Sequence, residues 1–491
     1  MKKHDLTPNA GDRLGPLPIW LLAGAIGALA VAGCSRVAAP APASAAAMRD
    51  VPFRLDYART GYDGGPAPAG LCAAWTWKKE PYRLASSPMV RDGRVYVSGF
   101  YPDLNGTFGL LACVNATDGS NIWEATELDG RDLRGIFSSP VLSADGKRLV
   151  VGEGMQWDTD CRIYCLDAAT GKLIWSHEAG AHHVWNTPAI AGDMVLVGVG
   201  TVERNDHQPV PATGYLLALR LSDGQELWRC DIQDPEGAAA IAAGVAYVPS
   251  DINSELVSAV GYAKAMAEGD DYQPSAQSLY AVSLDDVADL QARGRQRVLW
   301  RTLMPYPAGG AVALSDAMAI VGTGEGYFGF FWDDPGGAVV AVDRATGTVR
   351  WRADVGSAVW GPVAVRNGRA YCPLRNGFLA ALDARDGKEL WRQRLAEGEK
   401  PDDIEAITDT LHAVHAGPAV TDTRVYAVSA QGRLFVLDAA DGTVQETHDL
   451  NDPRSPDELA GWCVSSPMIV AGRLYVGSET GGLHCFVGSD R

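Results

Sequence analysis

The chain has 491 residues, a formal net charge of −18 and 47% hydrophobic residues. That length and apolar content are enough for a large folded body. The acidic balance argues against nucleic acid or an anionic lipid surface as a partner.

The first residues read as a targeting segment. Lys2 and Lys3 precede an apolar run from Ile19 to Gly33, whose fifteen residues fall short of the ~20 that a membrane span needs. The run ends in Val31-Ala32-Gly33-Cys34, which looks like a bacterial lipobox with Cys34 as the acylated first residue. An uncleaved signal anchor is the alternative. Ser35 follows where an Asp would favour inner-membrane retention, by analogy with Gram-negative lipoproteins. The expected boundaries are 1–33 for a signal peptide, 34–69 for the lipidated Cys and an Ala/Pro-rich tether, and 70–491 for the folded domain. The expected address is the cell envelope, as an outer-membrane lipoprotein facing the periplasm. The membrane is a partner through the lipid alone, with several acyl chains needed for firm anchoring.

Next comes Gly70–Glu80, a strand-like segment carrying Trp75 and Trp77. After it a frame recurs: a small residue, often Asp two further on, Gly, and Trp four residues after the Gly. The copies end at Trp123, Trp175, Trp228, Trp351 and Trp391. A stretched copy reaches Trp300, and one at Val436–Glu446 keeps the turn but has Glu in place of Trp. Between the frames lies a second signature, a small residue followed by Pro and an apolar strand, as at Ser86-Ser87-Pro88, Ser138-Ser139-Pro140 and Ser465-Ser466-Pro467. Each unit reads as four short strands separated by Asp-Gly or Asn-Gly turns. A repeat of roughly 40 to 55 residues built this way predicts a β-propeller. The last unit has three strands before the chain stops, and residues 70–80 can supply its fourth, removing a free edge. The expected fold is all-β, an eight-bladed propeller closed by an N-terminal strand.

The stretch Cys161–Glu178 tests whether any frame hides chemistry. On a strand Cys161 and Cys165 face the same way, about 13 Å apart at roughly 3.3 Å per residue, too far for a disulfide or a shared zinc. Cys165 occupies the frame's small position, which Cys113, Ala218, Ala341, Ala381, Val436 and Cys485 fill elsewhere, so it reads as a small core residue. Asp167 and Gly171 read as turn residues. Trp123, Trp175, Trp228, Trp300, Trp351 and Trp391 read as docking residues between blades. Cys72 and Cys485 fall on neighbouring strands of the closing blade, and a bridge between them would staple the ring.

These frames resemble the tryptophan-docking repeat of the PQQ-like (quinoprotein-type) propeller superfamily, over about residues 70–488. The resemblance implies two kinds of relative, PQQ-dependent dehydrogenases and non-enzymatic outer-membrane lipoproteins of the BamB type. The dehydrogenases typically stack the quinone on an adjacent Cys-Cys pair, and those with a haem domain carry Cys-x-x-Cys-His. This sequence has neither. Their calcium ligands and catalytic Asp match no residue here by motif.

The turns joining first to second strands are short throughout. The long segments join second to third strands, or one blade to the next, and both kinds emerge on one face. One-sided elaboration marks that face for binding. The inter-blade segments bring His182, His183, Trp185, Trp360, His412, His415 and Trp462 to the channel mouth, where they either hold a ligand or partner or pad the rim. Asp158 with Asp160, and Asp333 with Asp334, are weak calcium candidates, short of the six to eight oxygens calcium takes. No nucleophile elbow, zinc-protease motif or phosphate loop occurs. The sequence therefore favours a monomeric protein-interaction scaffold without cofactor over an enzyme. The alternative is a protein that binds PQQ with calcium, or another small ligand, as a quinoprotein oxidoreductase.

Overall fold

The computed structural model describes residues 53–489, apart from 104–105, 155–157, 159, 181, 202–213, 233, 236, 251–276, 325–335, 397–412 and 452–462. Eight antiparallel sheets follow one another, each built on four strands in sequence order. Blade 1 comprises Met89–Arg91, Arg94–Asp103, Gly106–Asn115 and Asn121–Ala125. Blades 2 to 7 repeat the plan, from Val141–Leu142 to Val444–Asp449. Blade 8 takes Met468–Val470, Arg473–Ser478 and Gly482–Gly488 from the C-terminal end and Leu71–Trp77 from the N-terminal end. A helix, α1 (Val287–Ala292), sits in the third-to-fourth connection of blade 4.

The core lies between the blades, which is why their middle strands are apolar on both faces. In blade 2, Cys161, Ile163 and Cys165 join the cluster shared with Val195, Val197 and Leu217 of blade 3. Tyr164 and Leu166 point the other way, into the cluster with Tyr96, Leu111 and Trp123 of blade 1. The same-face placement of the two cysteines is thus observed, with both thiols fully buried.

The frame has one physical purpose. Its small residue lies directly across the strand pair from its Trp, as in Cys113 with Trp123, Cys165 with Trp175 and Ala381 with Trp391. The Trp then reaches the next blade. Trp175 Nε1 donates to the Leu221 carbonyl at 2.8 Å, and its ring lies so close to Gly224 that a Cβ there would sit 2.7 Å from it. The same pairing joins Trp123 to Ala168 and Gly171, Trp300 to Arg344 and Gly347, Trp351 to Ala384 and Gly387, and Trp391 to Ala439 and Gly442. The turn glycine therefore serves twice, taking a positive φ (+70° at Gly171) and leaving room for the ring. Asp167 closes the turn by accepting from the Thr170 amide and hydroxyl at 2.9 and 2.7 Å.

Ring closure uses the same device. Leu71–Trp77 pairs with Gly482–Gly488, Trp75 lies opposite Cys485, and Trp75 Nε1 donates to Ala116 of blade 1 at 3.2 Å. This register corrects the expected staple. Cys72 lies opposite Val487, not Cys485, and the two are not bridged.

The first strands of neighbouring blades touch each other around the axis. Their small-residue–Pro steps hold the ring from inside. Gly417 N donates to Ser466 Oγ, Ser466 N to Ser87 Oγ, Ser87 N to Ser139 Oγ and Ser139 N to Thr187 Oγ1, at 2.9 to 3.1 Å. Ser86, Ser138, Asn186 and Ser465, just before four of these steps, clip their own second strands, as Ser86 Oγ does with the Ser98 carbonyl and amide at 2.8 and 2.9 Å.

Residues 53–69, assigned to the tether on composition, lie on the ring instead. Carbonyls of Tyr57, Ala58, Thr60 and Gly61 accept from Leu314, Val365, Val420 and Ile469, one first strand after another from blade 5 to blade 8. These contacts fall beside the short first-to-second turns, so the segment runs along that end of the inner strands of blades 5 to 8.

Candidate binding face

The long-loop end of the channel is where the sequence places its candidate residues. They lie on the inter-blade segments within a few residues of a small-residue–Pro step. Trp185 stands three residues before the Pro of blade 3, and Trp360 two residues before that of blade 6. Phe137 matches Trp185, three residues before the Pro of blade 2, a parallel the sequence reading missed although the signal was there. Trp185 stacks on Phe137 with centroids 4.9 Å apart and planes 17° from parallel, and Phe137 meets Phe100 at 4.4 Å. Three blades thus contribute one aromatic ledge, with all three rings partly exposed. Across blades 5 to 7, Trp360 lies under the Arg375 guanidinium at 4.8 Å and 6.4 Å from the His415 ring.

The histidines are less available than their positions suggested. His183 is buried and pairs with Gly200 as a short strand added to blade 3. A Cβ on Gly200 would lie 2.5 Å from Asp234 Oδ1 and 2.6 Å from the His183 ring, so the glycine makes space for both. His182 pairs through its backbone with Thr201. His415 is buried, and burial, with the nearby Arg375 charge, pushes its pKa down to about 3. It is neutral at any physiological pH. His412 and Trp462 lie outside the described residues.

The acids are engaged as well. Asp160 takes a two-point contact from Arg134, 3.0 and 3.2 Å long. Burial alone would raise its pKa, but Arg134 and Arg131 hold it below the usual carboxylate range. Asp158 is buried and accepts from Thr107 Oγ1 at 3.3 Å. Neither presents an oxygen set for calcium, and among the described residues no group of three His, Cys, Asp or Glu side chains is placed to hold a metal ion. Asp333 and Asp334 lie outside the described residues.

A residue the sequence reading passed over sits at the centre of this network. Glu153 ends the second strand of blade 2 and is fully buried. It accepts from the Arg134 amide at 2.9 Å and the Tyr164 hydroxyl at 3.1 Å, and Arg131 approaches to 3.0 Å at an angle too poor for a hydrogen bond. Burial pushes its pKa up to about 7 against these three partners. Glu479 holds the corresponding end of blade 8, 3.8 Å from Arg83, and burial pushes it up to about 8. Glu153 thereby ties an inter-blade segment to its second strand.

The arrangement is a rim braced by ion pairs beside a stacked aromatic ledge. A family model described as outer membrane protein assembly factor BamB matches residues 74–280 and 283–490. Over 167 residues the chain is 26% identical to quinohemoprotein alcohol dehydrogenase ADH-IIG of Pseudomonas putida, covering 32% of this chain and only 21% of that relative's length. Outer membrane protein assembly factor BamB of Moranella endobia is 20% identical over 419 residues, 82% of this chain and 84% of the relative. The crystal structure of BamB from Moraxella catarrhalis superimposes with a TM-score of 0.56 at 13% identity, over 86% of this chain and 99% of that one. At that identity the likeness speaks for the fold alone.

Proposed function

Because this chain belongs to the family described as outer membrane protein assembly factor BamB, we propose that it is a periplasm-facing scaffold whose long-loop face holds a protein partner during outer-membrane protein assembly. In this reading a lipid on Cys34 tethers it to the outer membrane. The observation that carries the proposal is how the mouth spends its polar groups. Glu153, Asp160, Arg131 and Arg134 are paired with one another. Beside them the Phe100–Phe137–Trp185 ledge and Trp360 offer apolar contact area. Aromatic anchors on a braced rim suit a protein interface.

The second reading, binding of PQQ with calcium, rests on the near-parallel Phe137–Trp185 pair and on the cation Arg375 over Trp360. These suit a planar anionic ligand. The calcium half does not fit the described residues, since Asp158 and Asp160 are turned to Thr107 and Arg134.

One titration separates the two. PQQ and calcium are added to the purified protein while tryptophan fluorescence and dye reduction are followed. The scaffold reading expects no saturable change and no turnover. Saturation with dye reduction overturns it. A photocrosslinker at Phe137 or Trp360 is then expected to trap an envelope protein in cells, and a clean lane from both positions counts against the assigned face.

A further inference from the structure

The segment that runs along the short-turn end of the inner strands carries two fully buried arginines, Arg54 and Arg59. Arg59 is saturated. Its Nε donates to the Val312 carbonyl, Nη1 to Phe53 and Nη2 to Ala239, each at 2.8 Å. Phe53 packs with Ala238 and Ala311 beside it. Arg54 differs. Its Nη2 donates to the Pro418 carbonyl, but Nε and Nη1 have no acceptor among the described residues. The guanidinium is wedged against blades 7 and 8. A Cβ on Gly417 would lie 2.1 Å from Nη1, and one on Gly61 would lie 2.9 Å from both Nη2 and the Pro467 carbonyl.

Among the described residues charge does not balance here. The charges acting on Arg54 are the carboxylate of Asp56 and the second cation, Arg59. Asp56 is spent on the Thr60 amide, at 2.9 Å, and on the Thr60 hydroxyl. Two guanidiniums therefore share one carboxylate. Burial lowers Arg54 to about 9, which still leaves it charged at neutral pH. An uncompensated buried charge costs several kcal/mol, and each unsatisfied buried donor adds to that. Loss of a proton does not relieve the cost, so a counter-ion must.

We infer that the axial channel binds one small monovalent inorganic anion, of the chloride class, against the unpaired donors of Arg54. The ion fastens residues 53–63 to the inner ends of blades 7 and 8, beside the place where the ring closes.

The test uses the full-length protein. Crystals are soaked in bromide, and the expected result is an anomalous peak within about 3.5 Å of Arg54, an ordinary contact for a halide on a charged N–H. In parallel, thermal unfolding is followed as sodium chloride replaces sodium gluconate at constant ionic strength. A saturable rise of about 3 °C is expected, the usual scale for a ligand well above its dissociation constant. Arg54→Gln is expected to lose that dependence. No bromide at Arg54, together with identical melts in the two salts, overturns the assignment. So does an equal chloride effect in Arg54→Gln. If that variant does not fold, the bromide map and the parent titration decide alone.

Discussion

Six blade junctions share one joint, and two do not. At the six, a Trp donates to a turn carbonyl and covers the turn glycine of the next blade. Between blades 3 and 4 the turn is replaced by the connection that holds α1. Trp228 Nε1 finds no acceptor among the described residues, and Arg297 lies over the ring at 4.0 Å, anchored to the Ser283 and Asp285 carbonyls at 2.9 and 3.1 Å. Between blades 7 and 8 there is no turn to dock on, because the fourth strand of blade 8 enters from the other end of the chain. Glu446 stands where the Trp would be, and its two oxygens accept from the Gly70 and Leu71 amides at 2.7 and 2.8 Å. The frame thus carries Trp only where the next blade offers a tight glycine turn. Where that turn is stretched or missing, the joint is rebuilt from a cation or a carboxylate.

The largest effect is expected from removing the strand that makes the exceptional joint necessary. Deleting residues 70–77 leaves Gly482–Gly488 as an open edge and uncovers the cluster around Val95, Leu110, Tyr475 and Leu483. Melting should fall by roughly 10 °C or more or lose cooperativity; an unchanged calorimetric trace would refute the closure. Next comes Glu446→Ala, which strands the two amides and should cost about 2 kcal/mol in urea unfolding. A cost near zero would mean the carboxylate is not a substitute joint.

The docking hydrogen bond itself is isolated by a pair of variants. Trp175→Phe keeps an aromatic ring but leaves the Leu221 carbonyl unpaired, at about 1 kcal/mol. Trp228→Phe loses no bond and should stay within ~0.5 kcal/mol. Equal losses at both sites would erase the distinction between the two kinds of junction.

A separate effect, set by pH and not by a lost joint, is expected at blade 8. Burial, opposed by Arg83, raises Glu479 to about 8, so the folded protein holds a proton that the unfolded chain has released. Stability therefore declines as pH rises from the unfolded carboxylate range through about 8, by at most ~1.4 kcal/mol per unit, and levels off above. Glu479→Gln should flatten that decline. Glu446 has the opposite sign. Burial works against its charged form, but the Leu71 and Gly70 amides outweigh it and lower its pKa. Its contribution is lost only as pH falls below the ordinary carboxylate range. A stability profile that stays level between pH 5 and 8 would contradict the buried, protonated Glu479.

Much of the ring was legible because its information is local. The small position, the turn acid, the glycine and the Trp all fall within eleven residues of each frame, and that spacing is itself the hairpin. The closing strand was legible too, since a three-stranded last blade leaves an edge that an early Trp-bearing strand can fill. The candidate face was legible only in part. Trp185 and Trp360 are partly exposed where the chain enters blades 3 and 6. The reading that found them also named His183 and His415, which are buried, because position along a segment does not say which way a side chain turns.

The sequence by itself determined the number of blades, the docking frame and the N-terminal closure. Repeat periods and turn chemistry act between neighbours along the chain, so they can be read in order. Only the tertiary structure decided that residues 53–63 run along the inner strands of blades 5 to 8, that Glu153 is gripped by Arg131 and Arg134, and that Phe100, Phe137 and Trp185 form one ledge. Arg59 meets an acceptor 253 positions away, and Tyr426 donates to Pro68 across 358. Contacts of that separation leave no periodic trace, because the ring brings them together only after every blade has folded.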